Sequence, residues 1–103
     1  MTAPALTRIV ATFYAPDGSR LSGSVSARPS AAFTTPDGYE VLQQNITSEI
    51  VDGELDISLV PNAGSTPAGT AYAVFYTFAV ASFVERWIVP QTPNPCSLED
   101  VVQ

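Results

Sequence analysis

The sequence predicts an all-β domain, an antiparallel β-sandwich of about seven short strands. Three observations carry that prediction. Apolar residues recur at a period of two rather than at helical spacing, most cleanly in Glu54-Leu55-Asp56-Ile57-Ser58-Leu59. There Leu55, Ile57 and Leu59 fall on one side and Glu54, Asp56 and Ser58 on the other, as a strand with one buried and one wet face requires. The runs are broken by turn formers, and twice these stand as Pro-Asp-Gly, at 16–18 and 36–38. Proline presets φ, aspartate bonds its own backbone and glycine takes positive φ. The breaks also come at short intervals, the pattern of strands joined by tight turns.

In chain order, residues 1–6 read as a frayed leader. Thr7 to Tyr14 alternates with two fairly apolar faces, the Pro-Asp-Gly turn follows, and Leu21 to Ala27 continues in register, so residues 7–27 read as a β-hairpin. Gly23 in mid-strand marks a bulge or a close neighbour. Arg28 to Tyr39 is loop-like around the second Pro-Asp-Gly. Val41 to Val51 is a weaker strand, with Ile46, Ser48 and Ile50 at period two. Asp52-Gly53 is a two-residue hairpin signal, which makes 46–60 a second hairpin. Pro61-Asn62 ends the strand, and 63–69 is a loop.

Thr70 to Val80 is the most aromatic strand, with Tyr72, Val74, Tyr76 and Phe78 on one face and Ala71, Ala73, Phe75, Thr77 and Ala79 on the other. Both faces are apolar, so it is expected to be central and covered on both sides. Its alanines would also suit a helix, but Tyr, Val, Phe and Thr at period two favour strand. Phe83 to Val89 is the last strand, 90–95 a proline-rich, extended exit, and 97–102 a short helix capped by Ser97. A helix that barely begins implies a chain that continues. The whole, residues 1–103, reads as one domain.

Composition removes several function classes. Charged residues make up 14% of the chain and its net charge is −6, with Arg8, Arg20, Arg28 and Arg86 the only cations. Phosphate neutralisation needs Lys and Arg, so neither nucleic acid nor an anionic membrane is expected as a partner. So few charges leave a surface that is neutral-polar or partly covered by a partner. No signal peptide is visible at the N-terminus and the longest apolar run, Ala71 to Val84, is too short to span a bilayer. The expected site of synthesis is the cytoplasm.

Chemistry is scarce. With no His and no Lys, the commonest general bases, Schiff-base formers and imidazole ligands are absent. The single cysteine, Cys96, has no partner for an internal disulfide and reads as a small apolar filler. Glu49, Glu54, Asp56 and Glu85 are the acids a glycosidase-like pair would draw on, and Asp52, Glu54 and Asp56 the ones that would gather calcium. Glu49, Glu54, Asp56 and Glu85 lie at alternating strand positions that suit solvated faces, and Asp52, Glu54 and Asp56 alternate along a hairpin without a loop of ligand spacing. No catalytic residue, metal ligand or cofactor is therefore expected, and the chain reads as non-enzymatic. Arg86 beside Glu85 reads as a surface ion pair or an apolar cover. Trp87 with Tyr72 and Tyr76 reads as core or inter-subunit packing, with an aromatic platform for glycan as the alternative. The candidate binding residues are thus Tyr72, Tyr76, Arg86 and Trp87. A sheet this poor in Lys has few charges to blunt its edges, so an edge strand is free to pair with another chain.

An ordered set of short motifs resembles a family. Leu21-Ser22-Gly23-Ser24-Val25 follows a Pro-Asp-Gly turn, and an Asp-Gly hairpin leads into Leu55-Asp56-Ile57-Ser58-Leu59-Val60-Pro61-Asn62. Then come Thr66-Pro67-Ala68-Gly69-Thr70-Ala71-Tyr72, Glu85-Arg86-Trp87-Ile88-Val89-Pro90 and Ser97-Leu98-Glu99-Asp100-Val101. Together, over about residues 18–101, they resemble small transthyretin- or carboxypeptidase-regulatory-like β-sandwich domains of bacteriophage and prophage tail-fibre and receptor-binding proteins. The resemblance implies a structural adaptor in a virion, or in host cytoplasm during assembly. It also implies a homo-oligomer, a trimer by preference, contacts with other tail proteins, and no catalytic residues. A fibre would continue where this chain stops, at Gln103.

Overall fold

A computed structural model describes residues 4–79 and 81–103. The leader expected at 1–6 falls partly, and the strand end at Val80 wholly, outside the described residues. The fold is all-β and antiparallel, as the alternating pattern predicts. Eight strands are described: β1 (Thr7–Thr12), β2 (Gly23–Pro29), β3 (Phe33–Thr34), β4 (Glu40–Val41), β5 (Ile46–Ile50), β6 (Glu54–Leu59), β7 (Tyr72–Phe78) and β8 (Ser82–Trp87). A one-turn helix, α1 (Leu98–Val101), follows. The main sheet has the order β5-β2-β7-β8, β1 pairs with β6, and β3 with β4. The core lies between the first two sheets. Thr7, Ile9, Leu55, Ile57 and Leu59 face it from the β1–β6 pair, and Val25, Ala27, Tyr72, Val74, Tyr76, Phe78 and Trp87 from the main sheet.

Both expected hairpins are real as turns and wrong as strand pairings. At the first, Ala15 N–H donates to the Ser19 carbonyl at 2.7 Å and Leu21 N–H to that of Phe13 at 3.2 Å. The chain then parts, β1 to β6 and β2 to β5 and β7. At the second, Asp52 and Gly53 have φ of 51° and 77°, as a tight hairpin turn demands. Only Val51 and Glu54 pair before β5 and β6 separate into different sheets. The cause is the two-layer requirement. Each strand carries an apolar face that must be covered from the opposite layer, and strands kept in one hairpin would share a layer. Gly23 lets β2 lie close to β7: a Cβ there would run into the Thr77 carbonyl oxygen and stand 2.8 Å from Phe78 Cδ1.

Two further expectations change. The 41–51 strand divides into β4 and β5, and the 28–39 loop contains β3, which pairs with β4 across the second Pro-Asp-Gly turn. The proline-rich segment is not an extended exit, because it bends back onto β1. Thr7 Oγ1 donates to the Pro90 carbonyl at 2.7 Å and Arg8 N–H to Asn94 Oδ1 at 3.0 Å. Cys96 N–H donates to the Arg8 carbonyl at 2.7 Å, and Val10 N–H to the Cys96 carbonyl at 3.0 Å. What draws it in is apolar burial of Val89, Cys96 and Val101, which belong to the core. The helix forms where expected: Asp100 Oδ2 accepts from the Ser97 N–H at 2.9 Å and its hydroxyl at 3.1 Å.

Candidate functional site

Three of the four residues singled out for binding point inward. Tyr72, Tyr76 and Trp87 are buried because they share the inner phase of β7 and β8 with Val74 and Phe78. The Tyr72 hydroxyl donates to the Val60 carbonyl at 2.7 Å. Glu85 Oε1 accepts from the Tyr76 hydroxyl at 2.8 Å and from Trp87 Nε1 at 3.1 Å. Tyr76 also stacks on Phe83 with ring centroids 4.5 Å apart and meets Phe13 edge-on at 5.4 Å. Burial pushes both tyrosine hydroxyls well above their ordinary range, and for Tyr76 the Glu85 carboxylate adds to the shift. These rings are core, so an exposed platform made of them is not on the folded surface.

Arg86 is exposed, but it does not pair with Glu85. Neighbouring residues of a strand point to opposite faces. Glu85 faces the core side, while Arg86 Nη2 donates to the Gly69 carbonyl at 3.0 Å. The acids considered for catalysis or calcium are spread out as well. Arg8 Nε and Nη2 donate to Asp56 Oδ1 and Oδ2 at 2.8 and 2.7 Å, and this bidentate bond holds the Asp56 carboxyl below its usual range. Glu54 lies 3.8 Å from Arg20. Among the described residues no group of three or more His, Cys, Asp or Glu is placed to hold a metal ion. Cys96 is buried, and burial, then the Asp100 charge, raises its thiol pKa.

What the surface offers is the outer face of the main sheet and one of its edges. The register places Thr47, Ser26, Phe75 and Val84 in one row across the four strands. Phe75 is 48% and Val84 60% exposed, side by side. The neighbouring rows hold Arg28, Ala73 and Arg86 on one side and Glu49, Ser24, Thr77 and Ser82 on the other. Strand β7 is central, as expected, but this second apolar face is not covered within the chain. The signal was in the sequence: apolar residues in both phases of 72–78.

The edges differ from one another. Residues 94–96 cover the outer side of β1, and Ile88 N–H to Val101 and Gln103 N–H to Arg86 cover the end of β8. Strand β5 pairs as a strand only with β2. On its other side Ser48 Oγ donates to the Asp56 carbonyl of β6 at 3.3 Å and Val51 pairs with Glu54, so the stretch clear of β6 is its start, at Ile46 and Thr47. At its start lies a groove of about 480 Å³, lined among others by Leu6, Pro29, Leu42, Ile46, Leu59 and Tyr72. The groove is the gap left where β5 and β6 diverge from the Asp52-Gly53 turn.

Comparison with protein-family models, with curated proteins and with solved structures found no match to this chain.

Proposed function

We propose that this chain is a non-enzymatic structural module that assembles with copies of itself through the outer face of the β5-β2-β7-β8 sheet. The observation that carries the reading is the exposed Phe75–Val84 pair, on β7 and the outer strand β8, in a face with only Glu49, Arg28 and Arg86 charged. The wet face of a sheet is polar in the usual monomer, whereas this one carries an exposed apolar patch flanked by polar residues, the layout of an association surface. Fully burying one such side chain contributes about 1.5–3 kcal/mol, and an interface of standard size, about 800 Å² per partner, would cover most of the sheet. Support for a non-enzymatic role comes from the acids: Asp56 and Glu54 face arginines, and Glu85 faces two core donors. The resemblance to tail adaptor sandwiches points the same way, toward a trimer in a virion with other tail proteins as neighbours. Glycan binding through Tyr72, Tyr76 and Trp87 loses its support with their burial.

Hydroxyl-radical footprinting over a dilution series tests the surface. Phe75 and Val84 are expected to be protected at high protein concentration and labelled on dilution, while exposed Tyr14 and Leu42 stay labelled throughout. Equal labelling of all four at every concentration would overturn the proposal.

A further inference from the structure

The open start of the β5 edge and the groove beside it form a second surface, independent of the sheet face. We propose that this edge binds an extended basic peptide of another protein by strand addition. An unpaired strand edge presents backbone donors and acceptors that only another extended backbone can satisfy as a row. The five residues of β5 span about 17 Å at 3.4 Å per residue, and the first of them, Ile46 and Thr47, are the exposed ones clear of β6. Ile46 is in the inner phase of β5, in register with Ala27 and Val74, yet it is exposed because β6 has moved away. Alternate side chains of an added strand would drop toward the same side, over Ile46 and into the groove floored by Leu59 and Tyr72.

Charge selects the occupant. Between residues 29 and 85 there is no Lys or Arg, while Asp37, Glu40, Glu49, Asp52, Glu54, Asp56 and Glu85 all lie there. Glu54 and Asp56 are matched by Arg20 and Arg8. Among the described residues, Glu40 at the groove, Glu49 on β5 and Asp52 at the turn make no ion pair. A second copy of this chain, with a net charge of −6, would bring more acid to an acidic edge. A strand alternating cationic and apolar residues would place its apolar side chains in the groove and its cations by Glu49 and Glu40. Such pairs at a rim chiefly set specificity and on-rate.

The test is an NMR titration of the whole chain at low salt with a capped hexapeptide alternating lysine and valine. Amide shifts are expected at 46–50 and around the groove, with none for the glutamate–valine counterpart. N-methylating alternate residues of the peptide in one phase should abolish binding, and in the other phase leave it intact, because only one backbone edge meets β5. The Glu40→Gln, Glu49→Gln double variant should weaken binding about threefold to tenfold without altering the fold's spectrum. Ile46→Ser, a surface change that removes the apolar contact without adding charge, should weaken it further. No shifts at 46–50, equal binding of the acidic peptide, or indifference to N-methylation would overturn the proposal. So would concentration-dependent shifts of 46–50 without peptide that persist in the Phe75→Ser, Val84→Ser variant, which would make the occupant of this edge a second copy.

Discussion

Tyr72 and Tyr76 sit with their hydroxyls inside the fold, and that has a consequence for pH. Their folded pKa values are raised above the unfolded value of about 10, so both contribute stability that is present below that value and is lost as pH rises past it. The urea midpoint, followed by Trp87 fluorescence, is expected to fall between about pH 8 and about pH 11, with tyrosine absorbance titrating as the chain unfolds. A midpoint that does not move would contradict their burial. The alternation of β6 has a sharper test. Ile57 is buried and Ser58 exposed. Ile57→Ala should cost about 2–5 kcal/mol through lost burial and the cavity left behind, and Ser58→Ala no more than about 0.5 kcal/mol, by denaturant unfolding. At this scale the sequence was readable wherever one residue's phase decided its fate, as at Ile57. It misled where neighbours in sequence face opposite sides of the sheet: Glu85 looked like a partner for Arg86 and instead serves Tyr76 and Trp87 on the inner face.

Among the elements, turns were legible and pairings were not. Pro-Asp-Gly and Asp-Gly carry their geometry in three or two residues, and the structure has all three turns in place. The partner of β1 is β6, more than forty positions away from it in register, and no local pattern reports that. The two Asp-Gly positions at 17–18 and 52–53 can be told apart by substitution. Gly18 has φ of 87° and open space where a Cβ would go, whereas Gly53 has φ of 77° and a Cβ there would stand 2.6 Å from the Phe13 carbonyl oxygen. Gly18→Ala should therefore cost about 1–2 kcal/mol, the left-handed penalty alone. Gly53→Ala should cost more, since the turn that hands the chain from one sheet to the other must also shift backbone. Thermal unfolding of the two variants ranks them, and a larger loss at Gly18 would contradict the packing of that turn. The C-terminal segment shows the opposite failure. Its prolines suggested a way out of the domain, but Val89, Cys96 and Val101 anchor it, and in folding back it covers the outer side of β1 and the end of β8.

For the molecule as a whole, the described residues leave three kinds of boundary: edges met by the chain's own C-terminus, strand edges without a second strand such as the start of β5, and one sheet face with an apolar patch on β7 and β8. The all-β class followed from composition and period. The outer face was half legible, because the two apolar phases of 72–78 implied cover on both sides, and among the described residues nothing covers Phe75 and Val84. Tyr72, Tyr76 and Trp87 went into the core with the inner phase, the packing their positions favoured, and the alternative of a glycan platform loses its support there. The central claim is that the outer face of the main sheet joins copies of this chain. Sedimentation equilibrium measures that directly. The chain of 10.9 kDa should give a mass that rises with concentration to a whole multiple of that value, three by the tail-adaptor resemblance. The Phe75→Ser, Val84→Ser variant, changed only at exposed positions, should dissociate at concentrations at least tenfold higher. A single mass of one chain at every concentration, with or without those substitutions, would contradict the account.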